Sequence, residues 1–182
     1  MELLRRRSVA VRSLWRVRDS RAWVRNCGSR RPTHGESLMP SIVCTVESLP
    51  YAHRLHGYNG RCARIHGHNA RVEVTVEAAG LDAQGFVVDF YVARAIIARV
   101  LSRFDHALVV CERDPVVTLL RAAGEHVEPF HAPPTAEHLA RYVLEAVNAE
   151  AAREASPGHS WRATRATWQE EQGFVAVAEV EP

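Results

Sequence analysis

The sequence predicts an α+β fold in which an antiparallel four-stranded sheet carries two main helices on one face. Three observations support this class: two β-rich runs stand early in the chain, helical periodicity dominates its middle, and two more β-rich runs close it. At 182 residues with 47% hydrophobic content, the chain is long enough for one domain with a substantial core.

The strands are predicted from composition and alternation. SIVCTVES at residues 41–48 is rich in β-formers, and the run from Val72 to Val76 alternates strictly. A loop rich in Gly, Asn and His, HRLHGYNGRCARI, joins these two strands. Residues 163–170 and 174–180 are predicted as the last two strands, across a tight EQG turn.

Helical periodicity and capping residues predict the helices. Asp89 can cap the first long helix. Asp114 and Pro115 can start a short connecting helix that Gly124 ends, and Thr135 is the candidate N-cap of the second long helix, AEHLARYVLEAVNAEAA. The apolar face expected for the first long helix consists of Ala93, Ile96, Ile97, Val100, Leu101 and Phe104.

Charge divides the chain in two. Residues 1–38 hold ten of the 23 basic residues, all arginine, and only three acids, whereas residues 39–182 hold 13 arginines against 18 acids. We expect 1–38 to be a basic, disordered extension and 39–182 to be the folded domain. The extension has three open explanations: an arm for nucleic-acid phosphates, a transit peptide, or sequence upstream of a true start at Met39.

Composition also limits the functional classes. The sequence has no apolar run of membrane-spanning length and no signal-peptide pattern, and its four cysteines are irregularly spaced rather than arranged as a disulfide framework. We therefore expect a soluble, cytoplasmic protein in a reducing compartment, with no membrane partner and no specific nucleic-acid partner.

The stretch CARIHGHNARVEVTV, residues 62–76, carries the strongest chemical signal. Because alternate residues of a strand share a face, His66 and His68 point the same way and can chelate one ion, for which zinc is the natural candidate. His53 is the obvious third ligand. Cys62 either completes a closed site as a fourth ligand or stands free as an activated thiol beside the cation.

Two further positions are candidates for acid–base chemistry or binding. Asp105 and His106 are adjacent and can form a proton relay, although a histidine at a helix end has an ordinary structural explanation. Glu170 falls on the same face of its strand as Trp168, with a solvated turn carboxylate as the alternative.

Several motifs occur in one order along the chain. They are Ala52-His53-Arg54-Leu55, Cys62-x-x-x-His66-Gly67-His68, Gly85-Phe86-Val87-Val88-Asp89-Phe90, Phe104-Asp105-His106, Pro134-Thr135-Ala136-Glu137 and Trp168-Gln169-Glu170. Together they resemble the 6-pyruvoyltetrahydropterin synthase family over about residues 42–178. The three-residue gap between Cys62 and His66 is similar to that of the bacterial 6-carboxytetrahydropterin synthases.

The resemblance implies a T-fold subunit that assembles into trimers or hexamers, with strands that close into a barrel. It also implies a zinc ion held by His53, His66 and His68, Cys62 as the base, Asp105 and His106 as a proton relay, and Glu170 as the anchor of a pterin.

The implied reaction converts 7,8-dihydroneopterin triphosphate to 6-carboxy-5,6,7,8-tetrahydropterin, with release of acetaldehyde and triphosphate, on the route to queuosine or a related deazapurine. A pyruvoyl-forming or folate-branch enzyme and a non-catalytic pterin binder are the alternatives. The chain departs from the usual family pattern at Leu49-Pro50-Tyr51, His138 and Glu171, which affects the expected substrate more than the expected metal.

Overall fold

The computed structural model describes residues 39–154 and 160–180, so the expectation about segment 1–38 lies outside the described residues. Six strands and three α-helices follow one another within these ranges: β1 Ser41–His53, β2 His66–Ala78, α1 Phe90–Leu101, β3 Leu108–Cys111, α2 Val116–Ala122, β4 Val127–Phe130, α3 Ala136–Glu154, β5 Trp161–Glu171 and β6 Phe174–Glu179.

The strands form one six-stranded mixed sheet in the order β4-β3-β1-β2-β5-β6. β2 is antiparallel to both β1 and β5, β6 is antiparallel to β5, and β3 runs parallel to both β1 and β4. The predicted α+β class is correct, whereas the prediction of a four-stranded, purely antiparallel sheet is wrong. The extra strands, LVVC and VEPF, have only four residues each and show too little alternation to predict a strand.

The predicted helix starts agree with the structure. Asp89 accepts a hydrogen bond from the Tyr91 N–H at 2.7 Å, and Asp114 accepts one from the Val116 N–H at 2.9 Å, so each carboxylate satisfies an amide of a first turn. Thr135 stands immediately before α3, and its hydroxyl accepts from the His138 N–H at 3.4 Å. None of the helices in the described ranges combines the length and apolar character that crossing a membrane requires.

The core lies between one face of the sheet and the helices α1 and α3. On β2, Ala70, Val72, Val74 and Val76 are fully buried, and the expected apolar face of α1 is buried against the same core. Burying one such side chain contributes about 1.5–3 kcal/mol before entropy is counted. Towards the start of β2, the next residue on this buried face is His68, so the packed core leads directly to an imidazole.

A side chain of α3 fastens that helix to the sheet. Asn148 donates from Nδ2 to the Ala163 carbonyl at 2.9 Å and accepts at Oδ1 from the Ala163 N–H at 2.8 Å. The register of β5 on β2 shifts at this level, between Thr75 and Val76. The amide of Asn148 therefore satisfies both backbone groups of a buried residue beside a β-bulge.

Candidate metal and ligand site

Three histidines converge where β1 ends and β2 begins. His53 is the last residue of β1 and stands opposite His66, the first residue of β2, while His68 follows on the same face. Their candidate ligand atoms all lie within 4.8 Å of one another. The strand pairing itself thus builds a cluster of three imidazoles.

Backbone carbonyls fix the tautomers of two of these rings. A carbonyl oxygen can only accept, so the Nδ1 of His53 donates to the Pro134 carbonyl at 2.7 Å, and the Nδ1 of His66 donates to the Arg64 carbonyl at 2.8 Å. In the neutral rings, each Nε2 then carries a lone pair. The Nε2 atoms of His53 and His66 are 3.1 Å apart, an arrangement that is repulsive unless a cation lies between them.

His68 also favours a bound cation. Its Nε2 is buried and, among the described residues, has no hydrogen-bond partner. Burial, followed by smaller effects that include the neighbouring imidazoles, lowers the pKa of His53, so this ring is neutral at pH 7 and able to bind a metal. Tetrahedral zinc with Zn–N bonds of about 2.1 Å holds its ligand atoms about 3.4 Å apart. The 3.1 Å between the Nε2 atoms of His53 and His66 is close to this spacing, so the residues suit an ion that would be held by three imidazoles.

A carboxylate and a phenol lie beside the cluster. Glu170 has one oxygen 3.9 Å from the Nε2 of His53 and the other 4.0 Å from the Nε2 of His68. Tyr51 donates its hydroxyl hydrogen bond to Glu170 and accepts one from the indole N–H of Trp168 at 3.2 Å. Glu170 and Trp168 thus share a face, as alternation predicted.

Tyr51 was not identified as a site residue from the sequence. It is only 4% exposed, and burial, reinforced by the charge and hydrogen bond of Glu170, raises the pKa of its phenol. The phenol therefore stays protonated and acts as a donor. A signal was present in the sequence, because Tyr51 lies two residues before His53 and alternation puts both side chains on one face of β1.

Cys62 borders the same cavity as the histidines. It lies in a single turn of 3₁₀ helix, Arg61–Ala63, and its carbonyl accepts from the Leu55 N–H at 2.7 Å, which folds the loop back over the end of β1. The thiol is free and half-buried. The cavity, of about 630 Å³, is lined by His53, His66, His68, Cys62, Glu170 and the first residues of α3, among others. Cys62 lies outside the group of nitrogens that could hold the ion.

Asp105 and His106 lie elsewhere on the chain. The Nδ1 of His106 is 2.8 Å from a carboxylate oxygen of Asp105, and the His106 N–H donates to the Pro50 carbonyl at 2.8 Å. His106 borders a second cavity, of about 620 Å³, whose walls include Tyr51 and also His68, which lines the first cavity as well. Within one chain the structure does not bring this pair into the cavity of Cys62, and its role as a relay stays a prediction.

The chain is similar in sequence to known proteins. Residues 42–179 match the family model described as 6-pyruvoyl tetrahydropterin synthase. A probable 6-carboxy-5,6,7,8-tetrahydropterin synthase from Halobacterium salinarum is 40% identical over 47% of this chain and 55% of its own length. The corresponding enzyme of Aquifex aeolicus is 31% identical over 45% and 54%, so the chain spans about half the length of these two curated relatives. That of Rickettsia bellii is 31% identical over 56% and 77%.

Solved structures agree in fold. An uncharacterised protein from Wolinella succinogenes superposes with a TM-score of 0.66 at 19% identity, covering 80% of this chain and all of that one. The 6-pyruvoyl tetrahydropterin synthase of Caenorhabditis elegans superposes with a TM-score of 0.56 at 21% identity, covering 79% and 98%. At these identities the likeness establishes a common fold alone, in agreement with the expected T-fold.

Proposed function

Because this chain belongs to the 6-pyruvoyl tetrahydropterin synthase family, we propose that it is a zinc-dependent lyase acting on 7,8-dihydroneopterin triphosphate. The product we assign is 6-carboxy-5,6,7,8-tetrahydropterin, formed with consumption of one water and release of acetaldehyde and triphosphate. The names of the relatives from Halobacterium, Aquifex and Rickettsia support this product. We place the reaction on the route to queuosine or a related deazapurine.

The observation that carries the proposal is the convergence of three imidazoles whose candidate ligand atoms all lie within 4.8 Å of one another. His53, His66 and His68 would hold the ion. The two carbonyls that accept hydrogen bonds from Nδ1 would keep His53 and His66 oriented. When bound, such an ion supplies Lewis-acid stabilisation of negative charge that develops on a substrate oxygen.

Cys62 is our candidate for the base. The residue borders the cavity of the histidines without belonging to the ligand group, so its thiol is available for proton transfer. As a thiolate it would take a proton from a carbon of the substrate side chain next to a hydroxyl group. The 3₁₀ turn and the Leu55 hydrogen bond hold the loop that carries it.

Glu170 is our candidate for the pterin anchor. Its carboxylate borders the same cavity and accepts from Tyr51 at one oxygen, which leaves acceptor capacity for N–H donors of a heterocycle. A carboxylate facing the guanidine-like edge of a pterin forms charge-assisted hydrogen bonds if that edge carries positive charge.

Assembly and the relay belong to the same proposal. Stretch 41–51 of β1 pairs with β2 on one side and, among the described residues, with no strand on the other, because β3 reaches β1 only at Ala52 and His53. β6 likewise ends the sheet. We propose that copies join at these edges into trimers or hexamers, as the resemblance implies. Asp105 and His106, which are exposed, would then serve as a proton relay accessible to a neighbouring copy.

One incubation tests the reaction. Metal-free protein, zinc-loaded protein and a zinc-loaded Cys62→Ala variant are each mixed with 7,8-dihydroneopterin triphosphate, and the pterin product is identified by mass. We expect the carboxy product and free triphosphate from the zinc-loaded protein alone. A pyruvoyl product would assign the related synthase reaction instead, and tight substrate binding without turnover would indicate a non-catalytic pterin binder.

A further inference from the structure

We propose that Tyr51 is a positioning residue that keeps the Glu170 carboxylate directed at the organic ligand and prevents it from becoming a fourth metal ligand. The inference rests on the proposed function in taking the three histidines as a metal site. Tyr51 is buried, and it contacts Glu170 rather than the proposed ion.

The need for a restraint follows from distance. One oxygen of Glu170 lies 3.9 Å from the Nε2 of His53, and the other lies 4.0 Å from the Nε2 of His68. Carboxylate oxygens bind zinc readily, and a tetrahedral site with four protein ligands is closed. A small rotation of the Glu170 side chain towards the histidines would therefore use the position that a substrate oxygen needs.

Tyr51 supplies the restraint through a directed hydrogen bond. Its hydroxyl donates to the same Glu170 oxygen that lies nearest His53. That oxygen is therefore partly satisfied by a neutral donor, and turning it towards an ion would break a charge-assisted hydrogen bond in a half-buried setting. The hydroxyl competes with the metal for one carboxylate.

The position of the hydroxyl is itself fixed. The Tyr51 ring packs edge-on against Trp168 with centroids 5.3 Å apart, and the Trp168 indole N–H donates to the Tyr51 oxygen at 3.2 Å. Trp168 is fully buried in the core. Because the indole N–H occupies the acceptor side of the phenol oxygen, the phenol hydrogen is left to point at Glu170.

Cobalt(II) gives a test that does not depend on turnover. The full chain is loaded with Co²⁺ as wild type, Tyr51→Phe, Glu170→Gln and the double variant, and two properties are measured: the visible absorption spectrum and the rate of cobalt loss to a chelator. Tyr91→Phe is the matched control, because Tyr91 lies on α1 and is 82% exposed. Neopterin binding, followed by fluorescence, reports on the organic ligand.

We expect Tyr51→Phe to change the cobalt spectrum, to slow cobalt loss about tenfold and to weaken neopterin binding about tenfold, in the range typical for groups that surround a metal site. In the double variant, the spectrum and the rate of cobalt loss should return to those of Glu170→Gln alone, because the competing carboxylate is gone. A purely structural role for Tyr51 would not be rescued by this second change.

The outcomes separate the two proposals. A wild-type chain that binds no cobalt overturns the metal site, and the inference with it. A wild-type chain that binds cobalt, combined with a Tyr51→Phe variant whose spectrum and rate of cobalt loss match wild type within twofold, overturns the inference alone. Tyr51→Leu removes the hydroxyl in a second way and decides the question if Tyr51→Phe does not fold.

Discussion

His53 and His66 each donate a hydrogen bond from Nδ1 to a backbone carbonyl, and both carbonyls belong to loops next to the site. The Pro134 carbonyl is particularly constraining, because it belongs to the segment that leads into α3. The Nε2 side of each ring, which the proposed ion would meet, is therefore oriented by a contact with the backbone.

A substitution at Cys62 should affect the reaction without affecting metal binding. Replacing Cys62 by Ala should lower kcat at least about 100-fold, the lower end of what a positioned proton acceptor contributes. The zinc content should stay at one ion per chain, because the nitrogen cluster does not include the thiol. Turnover assays and metal analysis on the same sample measure both.

Cys44→Ala is the control for this prediction. Cys44 is also a free, half-buried thiol, but it borders a separate cavity between β1 and α1. Its replacement should leave both kcat and zinc content unchanged. If Cys62→Ala instead lost its zinc, the thiol would be a metal ligand and the site would be closed.

At the level of single residues, alternation was a sufficient guide to part of the site. It placed His66 and His68 on one face of β2 and Glu170 on the face of Trp168, as the structure has them. Alternation did not identify Tyr51 as a site residue, because tyrosines near the ends of strands commonly pack in the core. Its partner Glu170 is 119 residues away, and only the tertiary fold shows that the two are in contact.

At the level of elements, a buried ion pair connects the loop after β1 to the start of α2. Arg54, next to His53, donates from Nε and Nη2 to the two oxygens of Asp114, at 2.6 and 2.7 Å. The Asp114 side chain is fully buried and also accepts from the Val116 N–H. This bidentate pair fixes the chain immediately after a predicted metal ligand.

Asp114 gives the fold a pH-dependent contribution. Burial by itself raises the pKa of Asp114, but the hydrogen bonds from Arg54 and Val116 and the positive charge of Arg54 outweigh it, so the pKa is lowered below 3.8. The unfolded chain therefore takes up the proton first as pH falls. The contribution is complete above the unfolded pKa and is lost as pH falls through the lowered folded pKa.

The corresponding variant is Asp114→Asn. We expect a loss of about 2 kcal/mol in the free energy of unfolding at pH 7, the scale of hydrogen bonds to charged groups. The difference from wild type should shrink as pH falls below about 4, because the wild-type carboxyl itself becomes neutral. Urea unfolding at several pH values measures it, and a gap that stayed constant down to pH 2 would show that the charge is not responsible.

Sequence patterns predicted the long elements better than the short ones. The apolar face of α1 and its Asp89 cap were correct because twelve residues give a clear period. β3 and β4 were missed because four residues do not distinguish a strand from a loop, and because β4 contains Pro129, which lacks a backbone donor. Their parallel pairing depends on the intervening α2, a long-range fact with no local signal.

At the level of the whole molecule, the sheet has apolar residues along its last strand. Phe174, Val175 and Val177 of β6 are exposed, although β6 forms the edge of a six-stranded sheet. An exposed apolar edge strand is a template for pairing with another chain. The feature supports assembly through this strand.

Val177→Lys tests that assembly. A charge on β6 should shift the chain from multiples of three copies towards the monomer mass, because a buried, unpaired ammonium opposes an apolar contact. Light scattering after size-exclusion chromatography measures the mass. Leu119→Lys on α2 is the control, since Leu119 is also exposed but is not part of the sheet. If the wild-type chain is itself monomeric, the proposed assembly is incorrect.

The hydrogen bond between His53 and the Pro134 carbonyl has a consequence for how the cavity responds when it fills. Any occupant that shifts this imidazole must also shift the entrance of α3, where Thr135 and Glu137 form part of the same wall. For the proposed ion and organic ligand, we expect this hydrogen bond to couple the two binding events. Binding of either ligand should change the affinity of the site for the other, and the two changes in affinity should be equal.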